Sequence, residues 1–169
     1  MTFETLGATS GISRQREKYN ILCLEDPIDW SNWNQFRLLR QKQDIPIAPH
    51  LGKPSDVLNA LKAEAADLFN VGGSFANIQR CAALAEAAGL PIRFQVGGLT
   101  VGIAGAWDTH VGAAIKNATL PSDLHYFLRE HDLLIDSPLT PVDGYVAVPE
   151  RPGLGIELDE KTLEKYRTG

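Results

Sequence analysis

Short apolar runs recur along this chain at intervals of about 22 to 25 residues, and the stretches between them carry helical spacing. The first four runs fall at 21–24, 45–48, 67–71 and 90–94, and a fifth follows after a longer gap at 124–128. A short apolar run bounded by turn residues suits a strand buried on both faces. Asp29 or Ser31 is placed to cap a helix ending near Gln41, with Trp33, Phe36, Leu38 and Leu39 available for burial. Pro54 suits the first turn of a helix to about Ala65, in which Val57, Leu58 and Leu61 share a face. Ser74 or Asn77 starts an alanine-rich helix that stops at Gly89, and 106–115 reads as another helix after the glycine-rich stretch 97–105. Strand and helix alternating in this way predict an α/β fold built from repeated parallel βα units. The tail differs: Pro138, Pro141, Pro149 and Pro152 interrupt it, and 145–148 is at most a short strand.

The chain has 169 residues, the size of one ordinary domain. Hydrophobic residues make up 44% and charged residues 22%, enough for a packed core and too apolar for disorder. A net charge of −5 with no basic cluster argues against a nucleic-acid partner. Cys23 and Cys81 both lie in apolar runs and read as buried free thiols of a reducing compartment. Residues 1–11 lack the basic start and apolar core of a signal peptide, and no apolar run is long enough to span a membrane. A cytoplasmic protein with no membrane partner is the expectation.

Chemistry is concentrated where the first run ends, at Leu24-Glu25-Asp26-Pro27. In parallel α/β folds ligands bind at the carboxyl ends of the strands. A carboxylate delivered there can hold a hard cation such as Mg²⁺. The plainer alternative is a strand end turned by Asp26-Pro27, with both acids solvated.

Taken in order, several passages resemble one family. They are Leu24-Glu25-Asp26-Pro27; Ile45-Pro46-Ile47-Ala48 after a helix; Gly73–Gly89 with its Ala82–Glu86 core, followed by Leu90-Pro91-Ile92; and Asp143–Val146 running on to Pro152–Leu158. Together they resemble the C-terminal barrel portion of the mandelate racemase and muconate lactonizing branch of the enolase superfamily, over about residues 19–166. The resemblance implies a partial (β/α) TIM-type barrel of four or five parallel strands with a Pro/Gly-rich tail. The expected organisation is a loop or mobile segment over 1–19, the barrel portion over 20–135, and a tail of the same domain over 136–169. The family's chemistry is removal of a proton next to a carboxylate, with Mg²⁺ holding the enolate and a Lys or His as base. Racemases, cycloisomerases and acid-sugar dehydratases use it, so a small carboxylate is the implied ligand.

Several positions depart from the family's pattern. The second metal acid of the family is present as Glu25. The third is expected after Ile47-Ala48, where the chain reads Pro49-His50-Leu51; His50 can ligate a metal but is a poor replacement for an acid on Mg²⁺. Asn70-Val71 runs straight into Gly72-Gly73, without the lysine-bearing loop of relatives. Gln95 stands nearest the position of the racemase base histidine, and an amide takes no proton at neutral pH. A barrel of this type typically needs about 250 residues, so the lysines and first acid of the early strands are expected to lie outside this chain. The resulting expectation is a truncated domain, inactive alone, with no assigned catalytic residue. Its metal candidates are Glu25 and His50, and its pocket candidates are Asp26, Asn70, Gln95 and His125. The alternative is a non-catalytic domain that self-associates or binds a partner.

The remaining features have structural readings. His110 is expected to pack or cap within a helix, and His131 to be solvated in a charged loop. Trp30, Trp33 and Trp107 read as packing residues, and Gly72-Gly73 and Gly97-Gly98 lack the spacing of a phosphate loop. An open set of parallel strands leaves edges and one uncovered face. Ile21, Cys23, Ile47 and Phe69 are assigned to that face; residues 1–19 could fold over it, and a homo-oligomer or a complementing barrel half is expected to cover it.

Overall fold

The computed structural model describes residues 19–29, 32–95, 102–122 and 130–167. It divides into two compact units, one of residues 1–95 with 117–121, the other of 96–116 with 122–169.

The first unit is the wall of a partial (β/α) barrel. In chain order it contains β1 (Leu24–Glu25), α1 (Trp33–Arg40), β2 (Ile47–Ala48), β3 (His50–Leu51), α2 (Pro54–Lys62), β4 (Phe69–Val71), α3 (Phe75–Ala87) and β5 (Ile92–Phe94). β1 pairs with β2, β3 with β4 and β4 with β5, all in parallel. Ala118 adds a further parallel bridge to Ile92. β2 and β3 are one run broken at Pro49, which is fully buried and has no N–H for a ladder. The run bonds a neighbour on each edge: Leu24 N–H donates to the Pro46 carbonyl, and Asn70 N–H donates to the Pro49 carbonyl. Run 124–128, expected as a fifth strand, lies outside the described residues.

Register separates the two faces of this wall. Leu24 pairs with Ile47 and Glu25 with Ala48; His50 pairs with Asn70, which pairs in turn with Arg93, and Phe69 pairs with Ile92. Ile47 and Phe69 therefore sit on the face opposite Glu25 and are fully buried there. They were expected on the uncovered face of the strand set; both are covered instead, one residue out of step with the face of Glu25. Ile21 and Cys23 are half-buried, so Cys23 is not the fully buried thiol expected; Cys81 is.

Helix starts follow local chemistry. Asn32, not Asp29 or Ser31, caps α1, its side-chain oxygen accepting from Gln35 N–H at 3.4 Å. Phe36 and Leu39 are buried and Leu38 is exposed, so α1 buries a narrower stripe than its sequence offers. Pro54 begins α2, and Ser74 caps α3, accepting from Asn77 N–H. Gly89 ends α3 at φ +72°, a conformation costly for any residue with a Cβ.

At the strands' N-terminal ends Asp67 gathers three elements. Its Oδ1 accepts from Arg40 of α1 at 3.0 Å (Nε) and 2.5 Å (Nη2), and its Oδ2 from Ile47 N–H at 2.9 Å. Arg40 also donates to the Glu64 carbonyl. The adjoining cavity, about 400 Å³, is lined by Arg37, Arg40, Gln43, Asp44, Glu64 and Asp67 among others.

The second unit contains α4 (Gly102–Ala114) and α5 (Glu160–Tyr166). α4 starts earlier than expected, four residues before Ala106. Ala106, Leu134 and Leu139 form its core, with Val146, Leu154, Ile156 and Leu158 packed against them. Leu134 bridges Leu158 in antiparallel fashion, and Val142 bridges Tyr145. α5 was not anticipated, although Asp159 and Thr162 carry a capping signature: Asp159 Oδ1 accepts from Lys161 and Thr162 N–H, and Oδ2 from the Thr162 hydroxyl.

Candidate active-site rim at the strand ends

Glu25 is the last residue of β1, on the face shared with Asn70 and Arg93. Both of its oxygens are engaged. Oε1 accepts from Asn70 Nδ2 at 2.7 Å, and Oε2 from Arg93 Nη1 at 3.2 Å. The same Asn70 Nδ2 donates its second hydrogen to Gln95 Oε1 at 2.7 Å. Asn70 is fully buried, and its Oδ1 has no hydrogen-bond partner. The amide orientation follows from these partners, because turning it over would set an oxygen against two acceptors.

Asp26 follows directly, in the left-handed region at φ +39°. An aspartate tolerates this conformation better than a branched residue. The turn aims its carboxylate at the neighbouring strand, where Oδ1 accepts from His50 N–H at 2.8 Å. Burial pushes the Asp26 carboxyl above its ordinary value, and the His50 N–H pulls it part of the way back. His50 itself opens β3, with Nδ1 at 4.0 Å from Glu25 Oε1. Gly72 closes the space behind: a Cβ there would stand 3.1 Å from the Cβ of Gln95 and 3.6 Å from His50 Nε2. The short Asn70–Gly73 passage thus lets Gln95 and His50 approach the backbone closely.

The structure brings together Glu25, Asp26, His50, Asn70 and Gln95, while His125 lies outside the described residues. It adds Arg93, which sequence reasoning passed over. The signal was available: an arginine between Ile92 and Phe94 in an apolar strand, two residues from Gln95, must share that residue's face. The other histidines lie elsewhere. His110 places a ring nitrogen 3.2 Å from the Leu154 carbonyl inside the second unit. His131 is partly exposed, 3.9 Å from Glu130 and stacked at a tilt near Tyr166.

Glu25, Asp26 and His50 offer ligand atoms within 4.8 Å of one another. That donor set does not fit Mg²⁺. The ion prefers an octahedron of oxygens and is commonly held through carboxylates. Here one of the three donors is an imidazole, and Glu25 is already bonded to a guanidinium.

Relatives of known type match along most of the chain. The family described as Enolase C-terminal domain-like covers residues 5–162. A D-galactonate dehydratase family member from Paenibacillus is 29% identical over 88% of this chain and 38% of its own length. Muconate cycloisomerase 1-1 of Acinetobacter lwoffii is 33% identical over 76% of this chain and 36% of its own. The crystal structure of a muconate cycloisomerase from Azorhizobium caulinodans superposes with a TM-score of 0.84 at 26% identity, over 97% of this chain and 48% of that one. The chain thus spans under half the length of these proteins. Given a family match over most of its residues, the chain belongs to the Enolase C-terminal domain-like family.

Proposed function

We propose that this chain is a barrel portion of the enolase superfamily that does not by itself remove a proton next to a carboxylate. The observation that carries the reading is the state of Glu25, whose two oxygens are held by Asn70 and Arg93. Around it the rim presents His50, Gly72-Gly73 and Gln95, in place of the acid, lysine and base histidine that the resemblance leads one to expect. A carboxylate already paired with a fixed cation is a weak ligand for the metal ion that would stabilise an enolate, and an amide cannot accept the proton.

The test is isotope exchange. The 169-residue chain is incubated in D₂O with Mg²⁺ and, in turn, D-galactonate, D-xylonate and an N-succinyl amino acid, and the α-proton is followed by NMR. Similar proteins include a D-galactonate dehydratase family member, a D-xylonate dehydratase and an N-succinylamino acid racemase. The expected result is exchange no faster than without protein. Exchange abolished by Glu25→Gln would contradict the proposal.

A further inference from the structure

Within the non-catalytic barrel portion proposed above, we infer that Arg93 is the resident cation of the site and takes the place the family gives to Mg²⁺. Arg93 stands on β5 in register with Asn70, and so projects to the face that carries Glu25. Its side chain is 14% exposed and meets Glu25 Oε2 at 3.2 Å. A guanidinium keeps its charge throughout the working pH range and is only weakly hydrated, which suits it to a partly buried carboxylate. Mg²⁺ sheds its waters reluctantly and sits about 2.1 Å from each ligand oxygen. An ion at either oxygen of Glu25 would lie within a few ångströms of the guanidinium, where like charges repel strongly. It would also have to share that oxygen with the hydrogen bond from Asn70 or from Arg93. Asn70 and Gln95 complete the arrangement from β4 and the end of β5 with neutral amides. The carboxylate is therefore balanced by charge and by hydrogen bonds without a divalent ion.

The experiment is a titration of the chain with MgCl₂ and MnCl₂ up to about 10 mM, read by calorimetry and by the shift in melting temperature that binding to the folded state produces. The wild-type chain is expected to show neither heat of binding nor a shift. Arg93→Gln is expected to bind at least about tenfold more tightly than wild type, and Arg93→Gln with Glu25→Gln to lose that gain. Arg93→Lys keeps the charge and is expected to remain insensitive to metal. Wild-type binding below about 1 mM that Glu25→Gln abolishes would overturn the inference. So would a folded Arg93→Gln that gains no affinity, or an Arg93→Lys that binds as Arg93→Gln does. If Arg93→Gln fails to fold, the wild-type and Arg93→Lys titrations still decide. Metal binding without proton exchange would overturn this inference and leave the proposed function standing; exchange without added metal would do the reverse.

Discussion

Burial makes a carboxylate costly to ionise, and Asp108 in α4 shows the effect. Its residue is 9% exposed, and desolvation pushes the carboxyl from 3.8 up to about 6. Between those two values the folded chain holds a proton that the unfolded chain has released. Stability then falls as pH rises through this window, and the loss is complete above it. Asp108→Asn is expected to flatten that fall and to raise the melting temperature at pH 8 by about 2–4 °C. Thermal melts from pH 4 to pH 8 check it, and an unchanged slope between pH 4 and 6 would contradict it. At this scale the sequence was informative about acids at strand ends and less so about what neutralises them. Glu25 stood out because two acids and a proline follow an apolar run. Arg93 did not, because its partner lies 68 residues away and only strand register brings the two together.

Elements were legible where one local signal was strong enough. Pro54 and Ser74 mark helix starts, and Gly89 marks a stop. The β2–β3 break was not anticipated, because Pro49 reads as a turn until two different neighbouring strands are seen to share the run. α5 is hard to read from sequence because it buries no residue on an apolar face, so the cap at Asp159 is its main mark. Two glycines separate backbone preference from steric exclusion. Gly89 has positive φ, and a Cβ there would meet nothing within 4 Å. Gly155 has φ +70°, and a Cβ would stand 2.6 Å from Pro149 Cβ and 3.0 Å from its carbonyl oxygen. Gly89→Ala is expected to cost about 1 kcal/mol, the price of the left-handed conformation alone. Gly155→Ala is expected to cost about 2–4 kcal/mol, since backbone atoms must also move. Urea unfolding midpoints at constant slope compare the two. Equal losses would contradict the distinction.

For the whole molecule, the alternation of short runs and helices was enough to give a parallel barrel wall, because parallel strands need a crossover and a helix supplies it. The face each strand presents was harder to read. Short, almost wholly apolar strands do not alternate, so Ile47 and Phe69 carried no mark of their side. The polar residues settle it: Glu25 on the first strand and Arg93 on the last meet across the wall. That pair links β1 to β5 through their side chains. A double-mutant cycle in urea with Glu25→Gln, Arg93→Gln and both together tests this account most directly. We expect a coupling energy of about 1 kcal/mol or more in favour of the native pair, in the absence of added metal. Additivity within about 0.3 kcal/mol would mean that the two charges do not sense one another, and would contradict it.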